Sequence, residues 1–152
     1  MRTVLTTLSS FVTIAISASA WAGPIEEVAE VAKPRQSAFA QGSVEGFTAA
    51  FADNAVLHSS FSPFRVEGKE AIRAYVSQLF QMNPKRSFSV RQPTARAYGD
   101  DLVVQDAYSV IYVADERGES RVYDTRANTI WKKIDGRWQI ISQHISRLPG
   151  HD

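Results

Sequence analysis

From Ser87 to Arg147 apolar and polar residues alternate with a period of two, and three turn signals cut the stretch into four pieces. Gly99-Asp100, Glu116-Arg117-Gly118 and Asp135-Gly136 predict strands over Ser87 to Tyr98, Leu102 to Ala114, Ser120 to Ile134 and Arg137 to Arg147. Strands joined by such short turns must be antiparallel, and these exceed the usual length of roughly five or six residues. So long a meander twists and needs a cover, which the rest of the chain has to supply.

The upstream residues read as that cover. After Gly68, the residues Ile72, Tyr75, Val76, Leu79 and Phe80 recur at helical spacing. Earlier, Ile25, Val28, Ala29 and Ala32 form one stripe, with Glu26, Glu27 and Glu30 opposite. Pro34 should kink or interrupt this helix before Ala38 and Phe39 resume it, and Gly42 should end it. Ser43 can cap a shorter helix carrying Val44, Phe47 and Phe51, which Asp53-Asn54 breaks. A short strand over Ala55 to Ser59, a loop over Ser60 to Pro63 and an extended piece over Phe64 to Val66 follow. Helices, a short strand, a helix and a meander make an α+β domain whose curved sheet wraps a small helical layer around a pocket.

Residues 1–22 read differently. Arg2 precedes an apolar run, and Ala18-Ser19-Ala20 and Ala20-Trp21-Ala22 offer small-x-small sites, so a signal peptide cleaved after Ala20 or Ala22 is expected. Residues 23–152 then form one domain, periplasmic or secreted, with no membrane span in the mature chain. Charge narrows the partners: 17 basic against 16 acidic side chains leave +1, far from the basic excess that follows a nucleic-acid backbone. With no cysteine, disulfides and thiolate metal sites are excluded, and His58, His144 and His151 show no ligand spacing, so neither metal nor cofactor is expected.

The segment Val66-Glu67-Gly68-Lys69-Glu70-Ala71-Ile72-Arg73-Ala74-Tyr75, followed by Trp131 to Ile140 with its Asp-Gly turn and by His144-Ile145-Ser146, resembles the nuclear transport factor 2-like superfamily. Within it the pattern is similar to the calcium/calmodulin-dependent protein kinase II association domain and its stand-alone bacterial relatives of the SnoaL-like and SgcJ/EcaC type. The resemblance implies a cone-shaped half-barrel, also described as cystatin-like, with a ligand pocket and a tendency to form dimers or larger rings. It does not settle function, because the superfamily holds isomerases, cyclases, dehydratases and binding modules.

Parity nominates the site. On the third long strand Asp124, Arg126 and Asn128 share one face, a costly choice in a sealed core and a sensible one along a wet pocket. Arg126 can hold a carboxylate by two parallel hydrogen bonds, with Asp124 or Asn128 orienting it. The resemblance also implies a pocket arginine five residues before the aromatic that precedes the hairpin, where Arg126 stands relative to Trp131. The competing role is a salt bridge or subunit contact on the outer face.

His144, on an assumed common face with Trp138, Ile140, Ser142 and Ser146, is a ligand contact and the candidate catalytic base. The resemblance brings in Arg65 as a second anion contact, and His58, Tyr75 and Tyr108 could complete the lining. Trp131 and Trp138 are expected to neighbour each other across the Asp-Gly hairpin.

Two functions remain open. One is an exported domain that binds a small organic ligand, a carboxylate fitting best, and assembles as a homodimer or larger homo-oligomer. The other is an isomerase, cyclase or dehydratase with His144 as base and Arg126 as oxyanion contact. A steroid-isomerase arrangement is disfavoured, since the first helix has no Tyr and Asp106 is the sole acid within the second long strand. A purely protein-binding accessory factor is a third reading.

Overall fold

The computed structural model describes residues 23–149. The expected signal segment and His151 lie outside the described residues. In chain order the elements are α1 (Pro24–Ala32), α2 (Pro34–Gln41), α3 (Val44–Thr48), β1 (Phe51–His58), β2 (Val66–Glu67), α4 (Lys69–Met82), β3 (Lys85–Ala97), β4 (Leu102–Ala114), β5 (Ser120–Ile134) and β6 (Arg137–Arg147).

Local chemistry sets the boundaries. A proline opens both α1 and α2, where its missing N–H costs nothing, so the expected kink is a break at Lys33. Gly42 closes α2 at φ 74°, and the Ser43 hydroxyl accepts from the Gly46 amide at 3.0 Å to start α3. Asp135 and Gly136, at φ 49° and 74°, make the tight left-handed turn between β5 and β6.

The six strands form one sheet in the order β2-β1-β6-β5-β4-β3, antiparallel except for the β1–β6 pair. Phe51 belongs to β1 and not to a helix, and Asp53-Asn54 fall inside that strand. The register against β6 shifts between Phe51 and Val56, which lets two exposed polar residues sit in a strand whose ends are paired.

The helices and the inner face of the sheet share one core, whose largest sealed side chains include Trp131, Phe51, Ile72 and Ile140. Phe39 is its hub, with ring centres 5.3 Å from Phe80, 5.3 Å from Phe88 and 5.4 Å from Phe47. Arg86 stacks 4.1 Å from the Phe80 ring and donates to the carbonyls of Phe39 at 2.8 Å and Phe80 at 3.0 Å. One cation thereby satisfies the negative ends of both α2 and α4.

Trp131 and Trp138 are not direct cross-strand partners: Trp131 faces Ile140 and Trp138 faces Lys133. Each indole is instead tied elsewhere, Trp131 to Gln105 at 3.2 Å and Trp138 to Glu27 at 2.5 Å. The Glu27 carboxylate also accepts from Lys133 at 2.6 Å, and these two hydrogen bonds, Lys133 first, hold its pKa below the usual carboxylate value. Glu27 thus fastens α1 to the last hairpin. Among the described residues no helix is long and apolar enough to cross a membrane.

Candidate functional site on the two faces of the sheet

Two bulges decide which side chains enter the cone. On β5 the alternation is unbroken, and Thr125, Thr129 and Trp131 are buried on the inner face. On β6 the register shifts, so Ile130 pairs with Ser142 while Trp131 pairs with Ile140, leaving Ile141 as the extra residue. Trp138 and Ile140 therefore point inward with Gln143, while His144 points outward, and the single face assumed for Trp138 through Ser146 does not exist. A second shift, between Arg91 and Thr94, falls on the edge strand β3 at Gln92 (φ 47°) and Pro93.

Between α1, α2 and the inner faces of β3 to β6 lies a cavity of about 300 Å³. It exists because small residues meet there: Ala107 pairs with Ala127, and Ser109 with Thr125, where larger side chains would fill the space. The adjacent row is polar and in register, Gln105 opposite Thr129 and Thr129 opposite Gln143. Phe39, Phe47 and Phe88 form the apolar wall.

Arg35, absent from the residues nominated above, is the buried cation of this cavity, which the exposed Lys33 borders as well. Arg35 lies on α2 one turn before Ala38 and Phe39, on the buried stripe, and is only 8% exposed. Its Nε donates to the Phe47 carbonyl at 3.3 Å and one terminal nitrogen to Gln143 Oε1 at 3.2 Å. Gln143 in turn donates to Thr129 Oγ1 at 3.0 Å, which fixes the amide orientation. The guanidinium carbon lies 4.6 Å from the Phe47 ring centre and 5.2 Å from that of Phe51. Among the described residues no carboxylate forms an ion pair with it.

Burial lowers the Arg35 pKa to about 10, so it remains a cation at neutral pH. Burial thus disfavours the charged form, and a counter-charge brought into the cavity would favour it. An oriented guanidinium in a half-enclosed, mostly apolar space attracts a planar anion whose body is apolar.

The nominated residues that stand on strands lie on the opposite, outer face. Tyr108, Arg126, Asn128 and His144 line one shallow groove with Asp106 and Ser146. There Asn128 donates to Asp106 at 2.8 Å and Arg126 Nε to Ser146 at 3.2 Å. Asp124 lines a neighbouring groove, Arg65 on the loop before β2 pairs with Glu67 of that strand, and His58 stands beside His144. Tyr75 is half-buried at the rim of the core, its hydroxyl donating to Ser59 Oγ at 2.7 Å. The sheet thus separates Arg126 and His144 from the cavity that holds Arg35. Helical spacing alone could have found Arg35, since i, i+3 and i+4 place it with Ala38 and Phe39.

The calcium/calmodulin-dependent protein kinase II association domain matches residues 25–149. The chain belongs to that family. A calcium/calmodulin-dependent protein kinase II association domain from Xanthomonas campestris is 24% identical, with a TM-score of 0.74 over 86% of this chain and 95% of that one. A nuclear transport factor 2-like protein of unknown function from Pseudomonas putida is 24% identical, with a TM-score of 0.70 over 79% of this chain and 83% of the other. A superfamily protein from Salmonella enterica reaches a TM-score of 0.74 at 15% identity, covering 85% of this chain and 94% of its own. No curated protein matches the chain significantly. These likenesses agree with the α+β cone expected from the sequence, and they carry the fold rather than an activity.

Proposed function

We propose that this association-domain protein is an exported binding module that takes a small organic anion, a carboxylate with an apolar body, into its cone and self-associates through the outer face of its sheet. The observation that carries the reading is Arg35, a buried cation beside an open cavity with no ion-pair partner among the described residues. A ligand carboxylate supplies the missing charge, and Gln143, Thr129 and Gln105 supply neutral hydrogen-bonding groups beside it. Binding is favoured over turnover because the charged side chains of the lining are two cations, the buried Arg35 and the exposed Lys33, with no Asp, Glu or His beside them. The enzymatic alternative would need His144 and Arg126 to work from the outer groove.

Self-association draws support from exposed apolar side chains on that outer face, where Tyr108 is 48% and Val122 59% exposed. Export rests on the signal-like segment of residues 1–22.

The test is native mass spectrometry of the purified protein together with titration of benzoate, and of benzamide as its neutral counterpart. Saturable binding of benzoate, absent for benzamide and lost in Arg35→Met, is the expected result. Equal binding of both compounds, or benzoate binding that survives in Arg35→Met, would overturn the assignment. A strictly monomeric mass at micromolar concentration would remove the assembly part.

A further inference from the structure

The parallel β1–β6 pair brings together two residues far apart in the sequence. His58 and His144 are in register, both exposed on the outer face, with ring centres 5.5 Å apart. They head a row that crosses the sheet through Asn128, Asp106 and Thr94, one residue per strand. In that row Asn128 is turned toward Asp106, and Arg126 in the next row toward Ser146, so neither neighbour is directed at the imidazoles.

We propose that His58 and His144 form a two-imidazole site for a divalent first-row metal ion. The geometry carries the proposal. With metal–nitrogen bonds of about 2.1 Å and ring centres about 1.1 Å further out, centres 5.5 Å apart subtend about 120° at a shared ion, within about 10° of tetrahedral. The spacing of the two rings on paired strands is thus the spacing that two imidazoles on one ion require. Imidazole is a ligand of intermediate softness that suits copper, nickel and zinc better than calcium or magnesium. Among the described residues no set of three His, Cys, Asp or Glu surrounds an ion, so the two imidazoles are the ligands that a single chain brings to the site. Copper(II) is the tightest of the divalent series and the natural probe. A bound ion would also staple β1 to the strand that carries Gln143, without touching Arg35.

The experiment titrates the full chain with copper(II), read by calorimetry and by electron paramagnetic resonance, on the parent protein, His58→Asn, His144→Asn and His151→Asn. One ion per chain is expected, with a two-nitrogen imidazole signature and a rise in unfolding temperature. Either His58→Asn or His144→Asn should weaken binding at least about tenfold, while His151→Asn should not. Because both side chains are exposed, circular dichroism should show each variant folded. Copper affinity unchanged in both variants, or lost only in His151→Asn, would overturn the site. The benzoate titration is indifferent to these substitutions, so failure here leaves the cavity assignment standing.

Discussion

The inner and outer faces of β5 differ by one residue of offset, and they obey different electrostatics. Thr125 and Thr129 line the half-enclosed cavity and Trp131 is sealed in the core, on the side where the nearby Arg35 loses basicity to burial. Arg126, between two of them in sequence, looks outward, is exposed and rests on a serine. An arginine on the outer face is cheap and uninformative, whereas one on the inner side is expensive and so marks a place where a counter-charge belongs. What separates a site from a surface here is the cost of leaving the charge alone, and not the identity of the residue.

That contrast can be tested by paired substitutions. Trp131→Ala should cost about 3–5 kcal/mol in denaturant unfolding, through lost burial and an orphaned Gln105, while Val122→Ala on the outer face should stay below about 1 kcal/mol. Equal losses would mean that the outer face is as tightly covered as the inner one. Arg35→Met should act with opposite sign, raising the stability of the ligand-free protein by about 1–3 kcal/mol while abolishing benzoate binding. Should that variant be destabilised instead, the Phe47, Phe51 and Gln143 contacts already compensate the charge.

Glu27 gives a smaller effect that depends on pH. Its folded pKa is depressed, so its contribution is present above the unfolded value near 4.5 and fades as pH falls through the folded value. Glu27→Gln should therefore flatten the fall in stability below pH 4.5, visible as a smaller drop in unfolding temperature. Arg126→Ala should be the mildest, within about 0.5 kcal/mol, and without effect on benzoate binding. Loss of benzoate affinity in Arg126→Ala would place the ligand outside the cone.

Much of the fold was legible because its signals are local. The long alternations from Ser87 onward, the turns at Gly99, Gly118 and Gly136, and the Ile72 to Phe80 stripe each act within a few residues. The site was less legible because it depends on register. Parity grouped Asp124, Arg126 and Asn128 correctly, yet nothing in that grouping says which group faces the cone. On β6 the extra residue Ile141 shifted the pattern between Ile140 and Gln143 with no Gly or Pro to announce it. The nearness of His58 and His144 comes from a parallel pairing between the first and last strands, which no spacing rule reaches. Arg35 was legible in the helical spacing that groups it with Ala38 and Phe39.

The bulge at Ile141 also bears on how such cones diverge. It holds Gln143 toward the cavity and His144 away from it. A lineage that accommodated the same surplus residue one turn of the pleat beyond His144 would exchange the two, delivering an imidazole next to a guanidinium in the half-enclosed cavity without altering composition. Moving a bulge along the last strand is thus a short route between holding a molecule and transforming it, and counting identical residues between relatives would miss the step.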